Sequence, residues 1–156
     1  MPAATKFIAT FAYTGFFPFA PATFASAVFC GIYYFVPGGE WLVHPVVVAV
    51  TVVISVPVSG WMEKDYGEDP SCVVIDEVVG MQVILMMATG VGLVGLAAAF
   101  FLFRFFDILK PFPVGRSQNL PGGWGIVVDD FLAGIYTRIV LILLALAWPS
   151  LGDFLL

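Results

Sequence analysis

The sequence predicts an all-α protein embedded in a membrane, a helical bundle with short or re-entrant helices and a polar site at one membrane surface. Three observations lead to this fold class. Hydrophobic residues make up 61% of the 156 positions and charged residues only 11%, whereas a typical soluble domain is about 25% charged. The mean hydropathy is +1.03. The charges are concentrated in three segments, at residues 63–77, 104–116 and 129–130. The stretches beside these segments are long enough to enter or cross a bilayer.

A chain of this length is expected to form a single domain, residues 1–156. Such a small globule cannot bury this much apolar surface within itself, because its surface-to-volume ratio is high. Lipid is therefore the expected solvent for the remainder. The formal net charge of -5 argues against a protein that binds nucleic acid through a basic surface, and the high hydrophobic content argues against a disordered chain.

Four apolar stretches lie beside the charged segments, at residues 22–36, 42–62, 78–103 and 131–148. Backbone groups inside lipid must form their hydrogen bonds within the protein, which excludes isolated strands. Each of the four stretches is therefore predicted to be helical.

The stretch 78–103 leaves two topologies open. It has the length of one tilted crossing, but the glycines between Gly90 and Gly95 could also mark a turn between two short helices. Only the second arrangement, a re-entrant hairpin, puts all three charged segments on the same face. Residues 37–45 and the Gly90 turn contain no Lys or Arg, so the positive-inside rule favours the hairpin.

Two pairs of adjacent carboxylates interrupt the apolar stretches, and a glycine follows each pair one helical turn later. The pairs are Asp76 with Glu77 and Asp129 with Asp130, followed by Gly80 and Gly134. This repeated pattern suits two helices that pack closely around a metal ion. The alternative is an ordinary charged helix start, where the helix dipole favours acidic side chains.

Three further charged residues alternate in sign along one predicted helix. Arg104, Asp107 and Lys110 are spaced i, i+3 and i+6, so they share one face, and Pro111 and Pro113 are expected to end the helix. Charged side chains near lipid are costly and tend to be paired or functional. The alternative is a self-neutralising cluster at the interface, with the two basic side chains snorkelling.

These residue types indicate chemistry on phosphate. Carboxylates without a neighbouring histidine or thiolate favour Mg²⁺ or Mn²⁺ over zinc, and Arg and Lys bind phosphate oxygens. Thr23 and Ser26, at the start of the first apolar helix, could contact phosphate or could simply cap the helix. Cys30 and Cys72 fit no zinc-binding pattern.

Four blocks carry a family resemblance. They read PFAPATFAS at 18–26, VIDEVVGM at 74–81, FRFFDILKPFP at 103–113 and GGWGIVVDDFLAG at 122–134. In sequence, order and spacing they resemble the A-type phosphatidylglycerophosphatases, small lipid phosphatases of bacteria.

The resemblance implies Mg²⁺-dependent hydrolysis of phosphatidylglycerophosphate to phosphatidylglycerol and phosphate, a step of phospholipid biosynthesis. It also implies a multi-pass protein of the bacterial inner membrane whose polar site faces the cytoplasm. Ala22 and Ala25 stand where the family usually has glycine, and an alanine at a position of positive φ would be strained. The segment 115–121 also lacks an acidic residue that many relatives carry.

The roles expected of the site residues follow from both lines of reasoning. Mg²⁺ is expected on the two acidic pairs, Asp76, Glu77, Asp129 and Asp130. Arg104 and Lys110 are expected to hold the phosphomonoester and offset its charge during phosphoryl transfer. Asp107 is expected either to activate water or to attack phosphorus, and Thr23 and Ser26 to contact phosphate.

Three other functions share part of this pattern. A small transporter or ion pathway would also place charged side chains in a membrane, but residues 42–62 and 81–103 contain no Asp, Glu, Lys or Arg to line a path. A CDP-alcohol phosphotransferase would also use acidic pairs, but its longer acidic motif is absent. A structural membrane subunit stays open at the level of sequence.

Overall fold

The computed structural model describes residues 2–88 and 90–149, and all regular secondary structure in these residues is helical. The α-helices are α1 Ala3–Ala9, α2 Pro21–Phe35, α3 Pro45–Tyr66, α4 Ile75–Leu85, α5 Leu93–Leu109, α6 Val114–Ser117 and α7 Gly123–Ala147. Two short 3₁₀ helices cover Thr14–Phe16 and Gly39–Val43. The predicted all-helical fold class is confirmed.

Two helices are long and apolar enough to cross a membrane, α3 with 22 residues and α7 with 25. The apolar helix α2 has only 15 residues, a length of about 22 Å, and is therefore shorter than the roughly 30 Å hydrocarbon core. Membrane-length and shorter helices are thus combined in one bundle, as the sequence predicts.

The stretch 78–103 forms a helical hairpin, so the favoured topology is confirmed. Helix α4 ends at Leu85, and α5 begins at Leu93 and runs back. The turn between them packs on the Gly39–Val43 segment, where Met87 N donates to Val43 O at 3.2 Å and Gly90 N donates to Glu40 Oε1 at 3.1 Å. We call this end of the bundle the far end.

Helix α4 occupies the centre of the bundle. Ten of its eleven residues are buried, and it packs against α2, α3, α5 and α7. Its length of about 16 Å is half a bilayer core, so its last carbonyl groups end inside the protein at membrane depth.

Arg138 supplies the missing partners for the end of α4. Its Nη1 lies 3.3 Å from Val83 O and 3.1 Å from Ile84 O, and it also contacts Met86 O. The last carbonyls of a helix have no partner within the helix and need one from elsewhere. Arg138 therefore caps the C-terminal end of α4.

Close glycine contacts set the spacing of the helices around α7. A Cβ at Gly134 would lie 2.7 Å from Gly80 O, so α4 and α7 touch backbone to backbone there, as the glycine pattern predicts. A Cβ at Gly123 would lie 2.7 Å from Gly60 N of α3. Helix α7 already begins at Gly123. Its glycines therefore serve close packing, and Asp129 and Asp130 lie beyond the first turn.

Candidate active site

All three charged segments meet in one cavity of about 860 Å³ at the end of the bundle opposite the far end. We call this the cavity end. Seven of the charged side chains that line this cavity were singled out in the sequence. They are Asp76 and Glu77 of α4, Arg104 and Asp107 of α5, Lys110 directly after α5, and Asp129 and Asp130 of α7.

Arg104 joins helix α4 to helix α5 through two carboxylates. Its Nη1 forms an ion pair with Glu77 Oε2, and its Nη2 forms one with Asp107 Oδ2 at 2.6 Å. All three side chains are largely shielded from solvent. Fixing two acids with one guanidinium places the α4 and α5 groups of the site in register.

Lys110 connects α5 to α7. Its backbone is left-handed, with φ 46°, and ends the helix before Pro111 and Pro113, as predicted. Its Nζ lies 2.7 Å from Asp129 Oδ2 and 3.9 Å from Asp107 Oδ1. Partial burial lowers the pKa of Lys110, but the ion pairs with Asp129 and Asp107 outweigh it and raise this pKa above its ordinary value. The side chain is therefore a cation.

The acidic side chains of the cavity outnumber the basic ones. Glu77, Asp107 and Asp130 each place a carboxylate oxygen within 4.8 Å of the others. With Asp76 and Asp129, five of the carboxylates that line the cavity were singled out in the sequence, and Glu63, Glu68 and Asp69 line it too, whereas the cations of the described lining are Arg104 and Lys110. Asp76 Oδ1 and Asp130 Oδ2 are buried and accept no hydrogen bond from the described residues. Buried carboxylate oxygens need a partner, and a hard divalent cation would fit these oxygens.

The structure groups the acids differently from the sequence pairs. Asp107, expected to act on water or phosphorus, lies in the tightest carboxylate cluster with Glu77 and Asp130. Asp129, expected as a metal ligand, is held by Lys110. Asp76 lines the same cavity. All four expected metal ligands are therefore together, and Asp107 is a further candidate.

Ser26 and Thr23 do not line the cavity. Ser26 is fully buried and donates to Glu77 Oε2 at 3.2 Å and to Ala22 O at 3.1 Å. Helix α2 begins at Pro21, so neither hydroxyl caps its start, and the capping alternative is wrong. Ser26 therefore contacts a carboxylate of the site, and the structure gives Thr23 no place in the cavity.

The alanines that replace the family's glycines cause no backbone strain. The residue with positive φ in this segment is Ala20, at 47°, just before α2 begins. Ala22 and Ala25 both lie within α2, where alanine is favourable. Ala22 lines the cavity, and Ala25 is fully buried.

Part of the cavity wall could not be recognised in the sequence. The mouth of the cavity includes Glu63 at the end of α3 and polar groups from two loops, namely Glu68, Asp69, Ser71, Gln118 and Asn119. The loop residues lie outside regular helices, where no periodic pattern marks them. The absence of an acid at 115–121 leaves the amides of Gln118 and Asn119 on that side.

Helices of membrane length and a cavity that brings carboxylates together with two cations suit a membrane phosphatase, a phosphoric monoester hydrolase. Comparison with protein families agrees: the sequence model of the family described as phosphatidylglycerophosphatase A matches residues 7–145. The chain belongs to the phosphatidylglycerophosphatase A family.

Curated relatives come from several bacteria. A Bacteroides thetaiotaomicron protein named as a candidate phosphatidylinositol-3-phosphatase is 38% identical, covering 82% of this chain and 85% of its own. Phosphatidylglycerophosphatase A of Escherichia coli is 31% identical, and the match covers 87% of this chain and 80% of the relative. The Haemophilus influenzae protein of the same name is 47% identical over 46% of this chain and 45% of its own. The comparison with solved structures gave no significant match.

Proposed function

We propose that this protein hydrolyses phosphatidylglycerophosphate to phosphatidylglycerol and phosphate, with Mg²⁺ as the cofactor, and that residues 1–156 act as one domain. The observation that carries the proposal is the cavity in which the carboxylates of α4, α5 and α7 lie together with Arg104 and Lys110. Two relatives carry the name of this activity. The charge arrangement of the cavity suits a phosphomonoester dianion held beside a divalent cation.

Glu77, Asp107 and Asp130 are the first candidates to hold the ion, since their oxygens lie within 4.8 Å of one another. Asp76 and Asp129 line the same cavity and complete the set. When bound, Mg²⁺ would polarise a phosphoryl oxygen and offset negative charge.

Arg104 and Lys110 would bind the phosphate group. Both hold carboxylates in the structure, and a phosphomonoester oxygen offers them an acceptor of the same charge. Hydrolysis breaks the bond between phosphorus and the lipid alcohol oxygen, and a proton returns to that oxygen. Asp107 would either take the proton of the attacking water or form a covalent aspartyl phosphate that water then hydrolyses.

A membrane position explains how the substrate reaches the site. The acyl chains can remain in lipid while the headgroup enters the cavity, so the lipid need not leave the bilayer. Loss of the phosphomonoester leaves a product with only a phosphodiester charge. Arg104 and Lys110 would therefore hold the product less strongly than the substrate.

We also propose that the cavity end faces the cytoplasm of a bacterial inner membrane. Lys64, Lys110 and Arg116 lie at this end, and Lys6 contacts the ring of Tyr66 there. The segment 36–44 at the far end has no Lys or Arg. In a cysteine-free background, a cysteine at position 116 should resist a membrane-impermeant thiol reagent in intact cells, and one at position 40 should react. The opposite pattern would reverse the orientation.

Phosphatidylinositol 3-phosphate is the second candidate substrate, because the Bacteroides relative carries that name and is 38% identical. Both candidate substrates are diacyl lipids with a phosphomonoester. The polar loops at the cavity mouth would face the headgroup and distinguish the two.

Phosphate release from defined lipids tests the proposed function. Purified protein in mixed micelles is given phosphatidylglycerophosphate, phosphatidylinositol 3-phosphate or phosphatidic acid, with Mg²⁺ or with a chelator. We expect the fastest release from phosphatidylglycerophosphate, only with Mg²⁺, and loss of release in Asp76→Asn and Asp129→Asn. Preference for the inositol lipid would favour the second candidate. Equal rates with chelator would overturn the role of Mg²⁺.

A further inference from the structure

An apolar groove of about 300 Å³ runs along the lipid-facing side of the bundle between α2 and α5. Its α2 wall includes Ala27, Gly31 and Tyr34, and its α5 wall includes Ala97 and Phe100. Among the residues that the structure describes, its lining includes no charged side chain. Its volume is at the lower end of the range of about 300–1,000 Å³ for ligand sites.

The same two helices form one wall of the polar cavity. Pro21 and Ala22 of α2 and Ile108 of α5 line the cavity. The α5 wall of the groove reaches Phe101, and Arg104 lies one turn further on. That step along α5 is about 5 Å. The groove therefore leads along the bundle towards the candidate active site.

Exposed apolar side chains border the cavity on this side. Ile108 lines the cavity yet is 76% exposed, and Phe101 and Phe105 beside it are exposed as well. Loop residues 68–71 and 118–122 line other parts of the cavity. A phospholipid entering between α2 and α5 would keep its headgroup with the charged residues and its tail along apolar side chains.

We propose that the α2–α5 groove binds an acyl chain of the lipid substrate while the phosphomonoester lies in the cavity. This inference rests on the proposed function, since it requires a substrate with fatty acyl chains. Either candidate substrate meets this requirement. The groove would then orient the lipid, whereas the charged residues recognise the phosphate.

Gly31 offers a clean way to fill the groove. A Cβ at this position would meet no atom within 4 Å, so a side chain attached there starts from open space in the groove. The matched control is Val50, which is 51% exposed and lines a second apolar groove along α3. None of the residues that line this second groove lines the cavity.

The test compares Gly31→Trp and Val50→Trp on dioleoyl and dihexanoyl phosphatidylglycerophosphate. We expect Gly31→Trp to lower kcat/KM for the dioleoyl lipid by roughly tenfold, the scale on which apolar pockets discriminate substrates. The dihexanoyl lipid, whose tails barely reach the groove, should be turned over at nearly the wild-type rate. Val50→Trp should match wild type on both.

Each other result has a separate meaning. Equal losses on both lipids, or no loss on either, would overturn the groove as an acyl site. A wild-type protein that hydrolyses neither lipid would overturn the proposed function instead. A diazirine-labelled acyl chain gives a readout without turnover: it should label α2 and α5 peptides, and unlabelled substrate should compete but phosphatidylcholine should not. Competition by both lipids would show a general membrane-lipid contact and overturn the proposal.

Discussion

Gly134 of α7 lies directly against the backbone of Gly80 of α4, where a Cβ on Gly134 would come within 2.7 Å of Gly80 O. Each glycine follows an acidic residue by four positions, Asp130 and Asp76 respectively. The helix crossing is therefore one turn from the carboxylates, and it determines how closely the two acidic pairs approach each other.

Replacing Gly134 with alanine should force α4 and α7 apart. Overpacking of this kind costs about 1–3 kcal/mol, so Gly134→Ala should lower the free energy of unfolding by that amount. Thermal unfolding in detergent measures the change. Gly31→Ala is the control, because its Cβ meets open space. Equal stability of the two variants would show that the backbone contact does not hold the helices together.

Removing the cation of Lys110 should impair the chemistry and leave the fold intact. Lys110→Met should lower kcat by about 100-fold, the cost of losing one charge-stabilising donor. The matched control is Arg116→Met, because Arg116 is exposed and does not line the cavity. Phosphate release under saturating lipid checks both. A similar loss in the two variants would point to a general effect of surface charge.

Ser26 should act through Glu77. Losing the hydroxyl removes the 3.2 Å hydrogen bond to Glu77 Oε2, and such supporting contacts typically change metal affinity by about 10–100-fold. Ser26→Ala should therefore need more Mg²⁺ for half-maximal activity but reach a similar kcat. Thr23→Val, outside the cavity, should keep the wild-type Mg²⁺ requirement. A raised lipid KM in Thr23→Val would instead support the phosphate contact expected from the sequence.

Arg138 should stabilise the end of α4. Hydrogen bonds to a charged group contribute about 1.5–3 kcal/mol, so Arg138→Met should lower the unfolding free energy by at least that range. Arg138→Lys retains a cation but lacks the planar guanidinium group, so it should keep only part of the unfolding free energy that Arg138→Met loses. Unfolding in detergent measures both. Wild-type stability of Arg138→Met would mean that the carbonyls of Val83 and Ile84 find other partners.

The grouping of the charged residues was predictable from the sequence because of the cost of charge in lipid. Asp76, Arg104 and Asp129 lie far apart in the chain, but each interrupts an apolar stretch. A hairpin at Gly90 brings their segments to one surface. The composition and basic-residue pattern were enough to favour that arrangement.

The individual partners were not predictable, because they depend on where helices cross. Ser26 and Glu77 are 51 positions apart. No local signal marks Leu85 as the end of α4, so the capping role of Arg138 was missed. Glycines such as Gly123 are common in turns, but packing against α3 places this one inside α7.

The central claim is a divalent-cation site built on Glu77, Asp107 and Asp130, and direct Mn²⁺ binding to purified protein tests it most directly. Electron paramagnetic resonance gives the bound and free ion without turnover. We predict a saturable site in wild type, its loss in Asp130→Asn, and retention in Glu68→Gln, which removes an exposed acid from the cavity mouth. Unchanged Mn²⁺ affinity in Asp130→Asn, with the variant folded, would contradict the account.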